Sequence, residues 1–170
     1  MNYEVSRLTE KISEIEINSK AIPGPLQGEF LFNYQIFPPA IMIFKTEWEA
    51  EKRTMRAGDT IAQQIYLPPL RNFSQKIIFG VRIKEIIDQP DKKGFSYETL
   101  EGHVEKGIST FTLEEIQGKT VFRIHTLSKP GILITQLLAP VFSVPYQTYC
   151  TNEALKYVKR QAEKILTTSN

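Results

Sequence analysis

GFSYETLEGHVEKGISTF, residues 94–111, decides the reading of this chain. Three glycines, a histidine, glutamates and aromatic and hydroxyl side chains are packed into one short segment between two apolar, strand-like runs. Glycine beside polar and aromatic residues marks a place where backbone shape matters, and such places carry binding and chemistry disproportionately often.

Upstream of this segment, QKIIFGVRIKEIID (75–88) alternates Ile77, Phe79, Val81 and Ile83 against Ile78, Arg82 and Lys84, the period-two signature of a strand with one buried face. MRAGDTIAQQIYL (55–67) starts with a Gly-Asp turn and then sets Ile61, Gln63, Ile65 and Leu67 on one face, with Ala62, Gln64 and Tyr66 on the other. Residues 40–54 read as another strand. FLFNYQIF (30–37) reads as a short helix ended by Pro38-Pro39, AIPGPLQG (21–28) as a loop, and ISEIEI (12–17) as a first strand. Asp91, two lysines and Gly94 give a turn signal before FSYETL. Downstream, GISTFTLEEI and TVFRIHTL are strands joined by Gln117-Gly118-Lys119, a connection short enough for a hairpin.

From Gly131 onward the period changes to that of a helix, with interruptions expected at Pro140 and Pro145. In its last part Ala154, Leu155, Val158, Ala162, Ile165 and Leu166 form one apolar stripe, with Thr151 or Asn152 as a cap. The expected fold is therefore α+β over a single domain, residues 1–170: five or six antiparallel strands after an early strand and a short helix, the sheet curved around a long C-terminal helix. This helix-grip arrangement leaves room for a cavity between sheet and helix.

Bulk properties narrow the function. A formal net charge of +2, from 21 basic and 19 acidic residues, gives no basic excess of the kind nucleic-acid binding needs. Nucleic acid is not an expected partner. The single cysteine, Cys150, excludes an internal disulfide and suits a reducing, cytoplasmic compartment. The charged N-terminus carries no apolar signal core, and the longest apolar run, ILITQLLAPVFSV (132–144), is too short for stable membrane insertion, which takes about 20 residues. That run reads either as core packing or as a lid over a pocket mouth. No glycine-rich phosphate loop precedes a helix with a lysine, and no cofactor is called for.

Gly94-Phe95-Ser96-Tyr97, Thr99-Leu100, Gly102-His103, Glu105, Gly107 and Phe111, with Arg123-Ile124 and Ser128-Lys129-Pro130 later, resemble the hallmark blocks of a family catalogued as a domain of unknown function, numbered nineteen-ninety. Val104 stands where the family has Pro, and Ile108 where an acid is common. The resemblance implies a fold similar to the START and Bet v 1-like superfamily and a pocket, and implies no reaction.

Tyr97, Thr99, His103 and Arg123 are the candidate ligand-binding residues. Tyr97 and Thr99 share a strand face, so their hydroxyls can hold a polar head group; cross-strand packing explains them equally. His103 with Glu105 two residues on has the makings of a general base and its orienting acid, or else His103 anchors a turn. Two histidines and one unclustered cysteine make a poor metal set, and Cys150 reads as a buried, inert thiol. The expected function is non-covalent binding of a small hydrophobic or amphipathic ligand. The alternatives are a hydrolase- or cyclase-type enzyme using His103 as base, and an interaction module with a filled core.

Overall fold

The computed structural model describes residues 8–18, 28–67, 75–103, 105–130 and 140–168. Seven antiparallel strands form one sheet: β1 (Thr9–Ile17), β2 (Met42–Thr46), β3 (Thr60–Leu67), β4 (Gln75–Asp88), β5 (Lys92–Thr99), β6 (Glu105–Ile116) and β7 (Lys119–Pro130). Their lateral order is β1-β7-β6-β5-β4-β3-β2. Two one-turn helices, α1 (Glu29–Phe32) and α2 (Glu47–Ala50), flank β2, and α3 (Pro140–Thr168) closes the fold.

Local chemistry sets each element. In β4, Phe79, Val81 and Ile83 are buried while Ile78 is 70% exposed, as the alternation predicts. Gln117 and Gly118 both have positive φ, 52° and 74°, and Ile116 pairs directly with Lys119. A two-residue turn with left-handed central residues matches the twist of its flanking strands, so β6 and β7 stay in register along their full length. Asp91 and the residues just before it form the turn into β5, whereas the two lysines expected there already belong to the strand.

Three local expectations give way. Residues 40–54 are not one strand: the Thr46 hydroxyl accepts the Glu49 N–H at 3.3 Å, a side-chain N-cap that starts α2 and turns Trp48 inward. The helix in 30–37 ends at Asn33 because Tyr34 is left-handed (φ 57°), so the prolines at 38 and 39 come too late to stop it. Neither Thr151 nor Asn152 caps a helix, since α3 runs through both. Pro140 opens that helix, a position where the missing N–H costs nothing. Residues 131–139, which include the first part of the apolar run and the expected helix start at Gly131, lie outside the described residues.

The curved helix-grip (START/Bet v 1-like) sheet is not what forms. The sheet is open: β1 and β2 are opposite edges and do not pair. Strong curling needs repeated bulges or glycine kinks. Among the described residues the ladders show a single register shift, between Ile83 and Glu85 in β4. The long helix is therefore a cover on one face and is not gripped. It rests on β1 and β7. Its early turns reach β3, where the Tyr146 hydroxyl donates to Tyr66 O at 2.9 Å. Further along, Lys159 Nζ donates to Glu16 O and Gln161 Nε2 to Gln35 O.

Under this cover lies the core. Ala154, Leu155, Val158 and Ala162 are buried from the helix side, and Phe95, Phe111, Leu113, Phe122 and Ile124 from the sheet. The Phe95 and Phe111 rings stack at 5.4 Å, and Phe37 meets Phe111 edge-on at 6.2 Å. The opposite face is ionic: Arg123 bridges Glu14 and Glu114 at 3.1 Å each, Lys92 meets Glu114 at 3.0 Å, and His125 meets Glu10 at 2.7 Å. At the far edge Arg53 holds Asp59 with two nitrogens, 2.7 and 2.9 Å, and Asp59 also accepts the Arg56 N–H. This fork keeps the Asp59 carboxyl below its usual range and fastens the 53–59 turn. No described helix is long and apolar enough to cross a membrane.

Candidate functional site

The helix-covered face of the sheet is divided. One cross-strand row runs Ile124–Phe111–Phe95–Ile86 and is apolar. The next row runs Lys11–Thr126–Ser109–Tyr97, one residue from each of β1, β7, β6 and β5. Antiparallel pairing alone produces this line, because directly paired residues project to the same side. Ser109 Oγ and Thr126 Oγ1 are 3.4 Å apart. Ser109, Thr126, Ser128 and Glu105 are half-buried and Lys11 is exposed, so the row forms a partly exposed polar strip beside an aromatic wall.

At its inner end the strip meets a buried hydroxyl knot. Gln63 Nε2 donates to the Tyr34 hydroxyl, and the Tyr34 and Tyr97 hydroxyls are hydrogen-bonded to each other. Burial pushes both phenols up, while Ser109 and Gln63 beside Tyr97 pull its hydroxyl the other way. Tyr97 also packs its ring on Phe111 at 5.3 Å. Among the described residues every buried side-chain polar atom has a partner, so the knot is stable as it stands.

Glu105 sits where four elements converge. Burial raises its carboxyl above the ordinary range, while Lys11 from β1 and a hydrogen bond with Ser128 from β7 pull the other way. Its charge in turn acts on Tyr97 in β5 and on Cys150 in α3. Burial pushes the Cys150 thiol up to about 11, so it is protonated and unreactive at neutral pH. Tyr146, hydrogen-bonded to Cys150, is likewise raised by burial. Among the described residues no three His, Cys, Asp or Glu side chains gather as a metal would need.

The four residues singled out by sequence do not form one site. Tyr97 and Thr99 share the helix-covered face. The Thr99 hydroxyl is spent on the backbone of β6, accepting the Gly107 N–H at 3.0 Å. His103 lies beyond Thr99, its ring 4.2 Å from that of Phe79 and its Nδ1 2.9–3.0 Å from the main-chain O and N of Glu105. Burial drives its pKa down to about 4, so the imidazole is neutral. It meets Glu105 through backbone atoms, the geometry of a turn anchor. Arg123 is on the opposite, ionic face, one residue out of phase with buried Phe122 and Ile124. Val104 lies outside the described residues. Lys11, Ser109, Thr126 and Ser128 were not legible as a set, since isolated hydroxyls in strands carry no motif and only the strand register aligns them.

Residues 27–157 match the profile of a family described as "Domain of unknown function (DUF1990)". A protein of Deinococcus radiodurans described as a UPF0548 protein is 34% identical over a 120-residue alignment, covering 55% of this chain and 61% of the relative. The chain thus spans about three-fifths of that relative's length. The family match includes every residue of the polar strip except Lys11.

Proposed function

We propose, for a chain that belongs to the DUF1990 family, non-covalent binding of a small amphipathic molecule in the bay between β1, β7, β6 and the start of α3. One observation carries this: the half-open Lys11–Thr126–Ser109–Tyr97 row runs alongside the aromatic wall of Phe111 and Phe95. A solvated polar surface needs no aromatic neighbour, and a packed core does not use a line of hydroxyls. Together they offer a tail contact and a head-group contact, the usual composition of a small-molecule site. Tyr97 takes the junction between the two, while Thr99 and His103 hold the neighbouring backbone. A general-base role for His103 is the weaker reading, because its Nδ1 is occupied by the main chain of Glu105 and its ring is packed on Phe79.

Native mass spectrometry of protein purified from its own host, followed by denaturation and extraction, tests the proposal. A stoichiometric amphiphile released on unfolding supports it. A clean apo mass, with no shift of the Ser109, Thr126 and Ser128 amide resonances on titration with 1-octanol, sinks it.

A further inference from the structure

The face of the sheet turned away from α3 carries an apolar corner, and we infer that a second copy of this chain covers it. Strand register fixes what the corner contains. Across β2, β3 and β4 the rows Ile43–Gln64–Ile78 and Lys45–Ala62–Gly80 project to the side opposite Phe44 and Phe79, which pack in the core. Ile78 is 70% exposed and Ile43 41%, at the two ends of one row. Ala62 is exposed in the next row. Leu100, half-buried, leans over Gly80 so closely that a Cβ on that glycine would lie 2.9 Å from Leu100 Cδ1. Apolar side chains from β2, β3, β4 and the turn after β5 thus lie side by side on an uncovered face. That face is opposite the polar strip, so the inference is independent of the proposed ligand.

The charges beside the corner select its occupant. Glu47, where β2 gives way to α2, accepts the Thr60 N–H on Oε2 at 2.8 Å. Arg82 pairs with Thr60 from the other side, in β4, and is exposed. Glu47 and Arg82 therefore flank Thr60 as Ile43 and Ile78 flank Gln64, an acid on one side and a cation on the other. An anionic membrane or nucleic acid would press on Glu47, and also on Glu98, which lies across from Arg82 in β5. A second copy turned by 180° about an axis along β3 meets no like charge there, because the rotation exchanges the two sides and keeps the height along the strand. Ile43 then lies over the partner's Ile78, the Lys45 stem over the partner's Leu100, and Glu47 over the partner's Arg82, each contact being made twice. The strands of the two copies run alongside one another, the aligned packing of sheet on sheet. Among the described residues Arg82 makes no ion pair, with Glu98 or any other acid, so its guanidinium is free to take the partner's carboxylate.

Analytical ultracentrifugation of the full chain over a concentration series tests this, with melting curves confirming that each variant folds. The expected result is a reversible monomer–dimer equilibrium. Ile78→Lys should weaken it about a hundredfold, since each dimer loses two buried isoleucines. Glu47→Arg alone and Arg82→Glu alone should each weaken it about tenfold. Mixed one to one, these two variants should associate as the parent does, because both contacts across the axis again join opposite charges. A parent chain that stays monomeric up to about 1 mM overturns the second copy as occupant and leaves the face to a partner of another class. A dimer indifferent to Ile78→Lys overturns the assignment of the interface to this face. A mixture that fails to recover overturns the two-fold axis along β3.

Discussion

Thr99 Oγ1 takes the Gly107 N–H at 3.0 Å just where main-chain pairing between β5 and β6 stops, after Glu98 and Ile108. A side chain thus carries the ladder one step further, and it does so under the floor of the bay. Thr99→Val preserves shape but leaves the buried Gly107 amide without a partner. It should cost about 1–3 kcal/mol in urea denaturation. Thr99→Ser should cost much less, and equal losses for the two would contradict the clamp.

At Gly107 the constraint is steric. A Cβ there would lie 2.0 Å from Leu127 O and 2.7 Å from Ser128 Cα, so β6 and β7 would have to separate. Gly107→Ala should destabilise by about 3 kcal/mol or more. Gly102→Ala meets nothing within 4 Å and pays only for its left-handed φ of 83°, about 1–2 kcal/mol. Thermal melts of the two variants should rank in that order.

Acid should weaken the fold through His103. Its folded pKa of about 4 lies below the 6.5 of the free side chain, so the unfolded chain takes up the proton first. The stabilisation is complete above the unfolded value and is lost as pH falls toward the folded one. The loss amounts to about 3 kcal/mol at most. Denaturation at a series of pH values should show this slope, and His103→Gln should flatten it.

Glu105 acts with the opposite sign. Its folded pKa is raised above 4.5, so its stabilising contribution is present below that value and is lost as pH rises through the folded one. Glu105→Gln should melt higher than the parent at neutral pH, with the gap closing in acid. A gap that widens in acid would show that the carboxylate is well compensated in the unliganded fold.

Arg123→Ala should leave 1-octanol binding unchanged, because the side chain is on the ionic face. The pair with exposed Glu14 is worth little, and buried Glu114 keeps Lys92, so the loss should cost about 1–2 kcal/mol. A loss of affinity in the same titrations would place Arg123 in the site after all.

Strand identity was legible where one face is buried and the other is not. The alternation of Phe79, Val81 and Ile83 with Ile78 and Arg82 in β4, and of Phe122 and Ile124 with Arg123 and His125 in β7, is the pleat written in residue types. The Gln117-Gly118 hairpin was legible because so few dipeptides suit that turn. Sheet curvature was not, because it depends on bulges that leave no residue signature. α2 was hidden because its one-turn helix depends on a single capping bond from Thr46. Of the candidate site, Tyr97 and Glu105 stood out from the hallmark segment. Lys11, Ser109, Thr126 and Ser128 lie on three strands far apart in the chain, and only the hydrogen-bonded register brings them into line.

The placement of β1 has a consequence for biosynthesis. Of the strands in the sheet this one leaves the ribosome first, yet its one described neighbour is β7, made about a hundred residues later. At roughly 5–20 residues per second, Ile12, Ile15 and Ile17 wait several seconds with no strand to join. Lys11 is in place only after that, so the rim of the bay is the last part of the sheet to be completed on a nascent chain.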